Sequence, residues 1–498
     1  MHKYVAAAMF STGLFFSSVA QELGLIERKI DSIITQGKIP SIAIGIFKEG
    51  KTVYGKAFGY ADIEKGIRST VKTPYQLASL TKPITATAIM KMHQLGIIDL
   101  DDPISKFIPV QKVDSTFRDP TIRQVLNHTA GLGTYFDLNY ADEEIKPQTF
   151  LDAWNTYGMV FQQPGEVSEY SNLGYGLLDY IIDLKINEGY GAYLKSEIFA
   201  ALEMKNTFVI ESDSPEFSTV AKKYGPKREE LPFIQNNMPG AGNVAASIED
   251  LLKFGAFHLQ LTEKNILSSA HLQNMQQYRE PDALFHYYED TYYGLGWYVR
   301  DSDKGQKVVW HEGGMMGAST VLKLFPKEKM AIALLTNTYA PSLLREITDS
   351  LVTEFIPKYE PTPLNEIANY QPVAKDSSFL GIWKGTIQVE GQAIPFSLNI
   401  TENDSEIQYI DFGFSSFLTG YQPIPVSSKL LMGIGYKNYF LGTGVGNLPA
   451  KGIRKEFPHF LSLKLNRKGN QLIGTVVNLA AAQREYYARP YAISLKKQ

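Results

Sequence analysis

The stretch "YQLASLTKPITATAIMKMHQLG" (residues 75–96) decides the fold. Ser79 stands three residues before Lys82, and Pro83 follows at once, at the mouth of an otherwise apolar helical run. Spacing alone decides nothing. Ser-x-x-Lys arises about twice by chance in a chain this long at average residue usage, and here it also occurs at Ser69/Lys72 and Ser494/Lys497. Placement separates the three. Ser69 reads as part of a polar turn and Ser494 as part of the last strand or tail, whereas Ser79 begins a helix. Proline is tolerated in the first helical turn, where backbone donors are free or nearly so. Pro83 therefore puts the helix start at or just before Ser79. Its hydroxyl then meets free N–H groups and the positive end of the helix dipole. Lys82 falls one turn along on the same face, in a column continued by Ala86 and Ile89. A partly buried lysine has a lowered pKa and can act as a base toward a nearby hydroxyl.

Working outward, residues 22–37 read as an amphipathic helix, and "SIAIGIFKEGKTVYGKAFGY" (41–60) reads as a hairpin about a Lys-Glu-Gly-Lys turn. "DLDDPISKFIP" (99–109) reads as a loop. From about 120 to 275 the pattern is mostly helical, with Ser247 and Asp250 spaced as a capping box. Strands return between about 292 and 337, and a helix at about 341–356 precedes a Pro-containing linker. Strands at both ends with helices between predict an α+β domain over 21–357: an antiparallel sheet flanked by helices, assembled from the two ends, with an all-helical subdomain inserted. After the 358–377 linker, residues 378–498 alternate short apolar strands with Gly, Asn and Asp turns, which predicts a small antiparallel β-barrel.

Composition narrows the function classes. The 498 residues are 44% hydrophobic and 20% charged, and a net charge of −3 gives no reason to expect a nucleic-acid partner. Residues 1–20 read as a secretory signal peptide cleaved after Ala20; cleavage removes one charge, Lys3, and takes the net from −3 to −4. The expected location is periplasmic or secreted. The apolar run is too short to span a bilayer, so no stable membrane insertion is expected after cleavage. Cysteine is absent, which excludes disulfides, thiolate metal sites and cysteine nucleophiles. The eight histidines never fall in ligand pairs at i, i+3 or i, i+4, so neither a metal nor any other cofactor is expected. "GTGVGN" (442–447) lacks a following helix and reads as a hairpin turn, and no Gly-x-Ser-x-Gly elbow occurs.

Two further segments complete a constellation. "PGEVSEYSNLGYGLL" (164–178) places Tyr170, Ser171 and Asn172 before a helical run, and "VVWHEGGMMGASTVLKLFP" (308–326) places His311-Glu312-Gly313-Gly314 at the end of a strand. With "ASLTKPITA", "TIRQVLNHTAGL" and "NVAASIEDLLKF", the chain from about residue 24 to 355 resembles the serine β-lactamase-like hydrolases: class C β-lactamases, DD-peptidases, D-aminopeptidases and related esterases. The Gly381-x-Trp383 pair resembles the opening strand of lipocalin-like barrels.

The first resemblance implies an acyl-serine mechanism on a small-molecule or peptide substrate. By position it makes Ser79 the nucleophile, Lys82 its general base and Tyr170 the proton relay to the leaving group. Asn172 would bond the substrate's acyl amide, and the N–H groups of Ser79 and Gly314 would form the oxyanion hole. His128 would be a structural hydrogen-bonder. Where many penicillin-recognising members carry Lys-Thr-Gly, this chain has His311-Glu312-Gly313. Histidine is mostly neutral at pH 7, as in the D-aminopeptidase and esterase branches. The expected activity is thus hydrolysis of a small amide or ester, a D-amino-acid peptide first. β-Lactamase or DD-carboxypeptidase activity, an esterase proper, and a non-catalytic ligand-binding relative stay open. The oligomeric state is not legible.

Overall fold

The computed structural model describes residues 23–143, 148–211, 214–278, 291–301, 306–356, 358–361, 377–402, 408–414, 432–436, 439–445, 448, 460–482 and 485–498. The signal-peptide reading and most of the linker lie outside the described residues.

The first domain is built on an eight-stranded antiparallel sheet. Its centre joins the two ends of the segment, because Ser41–Lys48 pairs with Lys51–Asp62 on one side and Met330–Thr336 on the other. The hairpin turn holds Glu49 at φ 51° and Gly50 at φ 89°, the two positive values that a two-residue hairpin loop matching strand twist requires. The strands Ser41–Lys48, Ala318–Phe325 and Met330–Thr336 are buried almost throughout, so they read as continuous apolar runs rather than alternating ones. Helix Ile248–His258 covers one face; a Cβ on Gly45 would lie 2.8 Å from Leu252 and 2.9 Å from Ile248. Helices 23–35 and Pro341–Phe355 cover the other, burying Ile30, Ile33, Leu344, Ile347 and Leu351.

The inserted subdomain is not all-helical. Short ladders run through it: Tyr75–Gln76 and Thr207–Val209 flank Val244–Ala246, Gln111–Lys112 pairs with Met159–Val160, and Phe136–Tyr140 pairs with Ile234–Gln235. Segments too short to carry a period pair wherever two loops run side by side, and periodicity does not report them. The capping box at Ser247 is half formed. Ser247 Oγ accepts from Asp250 N–H at 3.3 Å. The Asp250 carboxylate instead accepts from Asn206 N–H at 2.6 Å and from Lys253 Nζ at 2.8 Å.

Among the described residues, the C-terminal region from Gly381 on is all-β: eight strands from Gly381–Val389 to Glu485–Lys497 in one antiparallel sheet. Trp383 is fully buried and its indole N–H donates to Phe379 O at 2.7 Å. The expected closed barrel is not seen: among the described residues no ladder joins Gln408–Phe414 to Met432–Tyr436, the two ends of the strand order. One of its strands also leaves the domain. Glu485–Lys497 pairs with Phe136–Tyr140 of the first domain, Ala488 opposite Phe136 and Tyr487 opposite Asp137.

Candidate active site

Ser79 lies in a single 3₁₀ turn, Ala78–Thr81, and the α-helix Lys82–Gln94 follows directly with Pro83 in its first turn. Ala78 has φ 48°, a left-handed conformation costly for a residue with a Cβ and typical of turns that thrust a functional side chain outward. Leu77, Ala78, Leu80 and Thr81 are buried, while Ser79 is half-buried and faces a cleft. The helix behind it is buried from Lys82 through Met90, so the lysine enters the core.

Lys82 has no exposed surface. Its Nζ donates to Asn172 Oδ1 at 2.7 Å and Ala241 O at 2.9 Å, and lies 3.2 Å from Ser79 Oγ. The first two partners can only accept, so they hold two hydrogens of the amine. The third direction is left for Ser79. Burial pulls the Lys82 pKa well below its ordinary value, because a desolvated ammonium is disfavoured. In its neutral form the amine turns a lone pair toward the serine hydroxyl. Tyr170 closes the site from above, its ring 4.8 Å from Lys82 Nζ and 4.4 Å from the ring of His128.

Each partner of Lys82 is itself held. Asn172 opens helix Asn172–Lys185, whose N-cap is Ser171; Ser171 Oγ accepts from Gly174 N–H at 3.2 Å and donates to Gly133 O at 2.9 Å. His128, at φ 62°, accepts the Ser171 N–H on Nδ1 at 3.2 Å, a structural role. Ala241 belongs to the turn Pro239–Gly242, pinned where Gly240 N–H donates to Asp179 at 2.6 Å and Thr85 Oγ1 donates to Gly240 O at 2.8 Å.

The opposite wall is strand Lys307–Met315. Its ladder with Tyr298–Asp301 ends at the Tyr298–Trp310 pair, so from His311 onward the edge is turned to the cleft. A Cβ on Gly313 would lie 1.9 Å from Leu77 O and 3.0 Å from Leu80 N: only glycine lets the strand close on the turn that carries Ser79. Gly314 is exposed and shares with Ser79 and Tyr170 the lining of two cavities, of about 240 and 190 Å³. The larger is lined by His311, Gly313 and Lys323, and the smaller by Asn172 and an apolar set, Phe136, Leu138, Met238 and Met315.

His311 is buried. Its Nδ1 lies 2.6 Å from Glu312 O, which can only accept, so Nε2 is the nitrogen that accepts from Tyr293 O–H at 2.8 Å. Burial pushes its pKa down to about 3. The imidazole is therefore neutral, and both nitrogens are satisfied within the protein. His311 shapes the wall; it presents no free hydrogen-bonding group to a ligand.

The structure thus brings Ser79, Lys82, Tyr170, Asn172, His311, Gly313 and Gly314 to one cleft. Sequence reasoning missed Ala241 and Ala78, whose contributions are a backbone carbonyl and a dihedral angle. Tyr293 is buried against the same wall, its hydroxyl 2.8 Å from His311 Nε2. Among the described residues no group of three or more His, Asp or Glu side chains is placed to hold a metal ion, and no helix is long and apolar enough to cross a membrane.

Together these elements set Ser79 on a strained turn, with a buried amine beside it and the strand Lys307–Met315 opposite. The family model described as Beta-lactamase matches residues 26–353, more than half of the chain, and the chain belongs to that family. Protein flp of Staphylococcus aureus (strain MW2) is 27% identical over 353 residues, spanning 66% of this chain and 66%, just under two thirds, of that protein. Among solved structures, the octameric penicillin-binding protein homologue from Pyrococcus abyssi is 23% identical with a TM-score of 0.58, covering 94% of this chain and 100% of that one. The D-amino acid amidase from Ochrobactrum anthropi SV3, complexed with D-phenylalanine, is 23% identical with a TM-score of 0.56, covering 67% and 98%. At these identities the structural likenesses establish the fold.

Proposed function

We propose that this protein is an exported serine hydrolase that works through an acyl-Ser79 intermediate on a small amide or ester, in the first place a D-amino-acid peptide. One observation carries the reading: two acceptor-only partners fix the Lys82 amine so that its third direction meets Ser79 Oγ at 3.2 Å. Neutral Lys82 takes the hydroxyl proton as Oγ bonds to the acyl carbon. The oxyanion forms toward the N–H groups of Ser79 and Gly314, and Tyr170 passes a proton to the leaving amine or alcohol as the old bond breaks. Water then releases the acid by the reverse sequence. The neutral His311 supports an amide or ester over a β-lactam, because it offers no permanent cation to a substrate carboxylate. The apolar wall of Phe136, Leu138, Met238 and Met315 supports a small apolar side chain beside Ser79, and the amidase of the same fold names the D-amino-acid class.

Incubation with a fluorophosphonate followed by peptide mass mapping tests the reading. The adduct is expected on the peptide carrying Ser79 and is expected to be absent in Ser79→Ala; a folded wild-type protein without it overturns the proposal. Turnover of D- and L-aminoacyl amides, a p-nitrophenyl ester and nitrocefin then ranks the substrates, with the D-amide expected above nitrocefin. β-Lactamase or DD-carboxypeptidase activity is the second reading, and nitrocefin or a D-Ala-D-Ala peptide turning over fastest would establish it. Export is tested apart: N-terminal sequencing of the mature protein is expected to begin at Gln21, and retention of Met1 would refute cleavage.

A further inference from the structure

The C-terminal sheet meets the first domain at several points, among them Lys468 on Asp114, and one of these contacts runs behind the cleft. In Phe136–Tyr140 successive side chains point to opposite faces: Phe136 and Leu138 line the smaller cavity, while Asp137 turns away and pairs with Arg489 at 2.8 Å. Both side chains of that pair are about nine-tenths buried, at 12% and 10% exposure. Glu485–Lys497 adds to the same strand as a ladder partner. Beside it the chains touch so closely that a Cβ on Gly133 would lie 2.6 Å from Pro490.

A second anchor reaches the residue before Tyr170. Lys464 Nζ pairs with Glu169 Oε1 at 2.9 Å, and the Glu169 side chain is 1% exposed. The same Oε1 accepts from Thr134 N–H at 3.2 Å and Thr134 Oγ1 at 3.3 Å, and Thr134 Oγ1 lies 3.0 Å from Tyr170 O. Gln162 adds a bond to Lys464 O at 3.3 Å. A chain of polar contacts therefore runs from the C-terminal sheet through Glu169 and Thr134 to the backbone that presents Tyr170.

We propose that the C-terminal sheet is a positioning element of the catalytic cleft, anchored by Lys464 on Glu169 and by Arg489 on Asp137. In this role the sheet is a built-in back wall of the cleft. Lys464, Glu169 and Thr134 are positioning residues; none of them touches the reacting atoms. The proposal rests on the acyl-serine reading for its consequence on rate, though not for its consequence on structure. A buried carboxylate that loses its cation disrupts its surroundings more than a neutral pair does, so the charge, rather than the mere contact, is what variants can probe.

The full-length protein is used throughout. In Lys464→Met, hydrogen exchange is expected to quicken at residues 133–138 and 168–172, and Ser79 labelling by a fluorophosphonate to slow about tenfold or more, toward the 10²-fold that a 1 Å misplacement can cost. Lys464→Arg is expected to restore both. So is the double variant Lys464→Met with Glu169→Gln, which removes the orphaned charge and keeps an acceptor for Thr134. Unchanged exchange in Lys464→Met overturns the proposal whatever Ser79 does. Altered exchange with unchanged labelling overturns it too, since the anchor would then be structural only. A general loss of folding shows as faster exchange in the distant strands 330–336, and in that case the double variant decides. If wild-type Ser79 gives no adduct, the hydrolase reading fails separately, and the exchange result alone decides the anchor.

Discussion

Replacing Lys82 with methionine is expected to slow acylation of Ser79 by about 10²–10⁴-fold, the range of a lost general base, while the fold persists. Methionine keeps most of the buried stem and removes the amine. Two consequences for stability oppose each other. Asn172 Oδ1 and Ala241 O lose their donor, and an orphaned buried acceptor costs about 1–3 kcal/mol. Against this, an amine whose charged form burial disfavours is no longer held in the core. The pH dependence gives a sharper check. In the wild type, acylation is expected to fall as pH drops through the lowered Lys82 pKa, because the protonated amine has no lone pair for the hydroxyl proton. Stability follows the same direction. Between that lowered value and the ordinary 10.5 the unfolded chain binds the proton and the folded one does not, so stability rises with pH across that window and is lost as pH falls. In Lys82→Met the acid limb of acylation is expected to vanish and the stability slope to lose the Lys82 share, the slope from buried Lys223, lowered to about 7, remaining. Labelling rates and denaturant melts across pH measure them, and an acid limb unchanged in the variant would remove Lys82 from the role of base.

Why Ser79 and Lys82 were legible while their supports were not has a physical reason. Pro83 is a strong constraint on local structure and points to a helix start near Ser79, although the α-helix itself begins at Lys82 and Ser79 sits in the 3₁₀ turn Ala78–Thr81 just before it. The sheet was legible for a similar reason, since strands buried on both faces leave apolar runs such as "MAIALLT". Ala241 and Ala78 act through a carbonyl and a φ angle, which residue identity does not announce. Asn172 was found by its motif, but in the free site its Oδ1 serves Lys82 at 2.7 Å, a partner that folding alone brings near. Lys464 is the extreme case: it sits in a region whose own pattern reports only alternating strands, and its partner Glu169 lies in another domain. The barrel expectation rests on short strands alternating with turns, a pattern that does not specify whether the first and last strands pair.

Gly313→Ala is expected to lower both activity and stability, and to do so without touching a catalytic side chain. The single added carbon would lie 1.9 Å from Leu77 O and 2.4 Å from Thr320 Oγ1. Neither can yield cheaply, because Thr320 Oγ1 donates to that same carbonyl at 2.7 Å and Leu77 N–H is tied to Val244 O at 2.8 Å. The strand must therefore retreat from the turn. Overpacking of this kind costs about 1–3 kcal/mol and occasionally more. The retreat also widens the gap between Ser79 and Gly314, the two backbone donors proposed to receive the oxyanion. Losing one such donor costs about 10²–10³-fold in turnover. Turnover in Gly313→Ala is thus expected to fall by about 10²-fold with a lower melting temperature, whereas Gly314→Ala, whose Cβ would meet only the Tyr339 ring at 3.2 Å, is expected to melt near the wild type. If the two variants lose activity and stability equally, the close approach at Gly313 is not what brings strand and serine together.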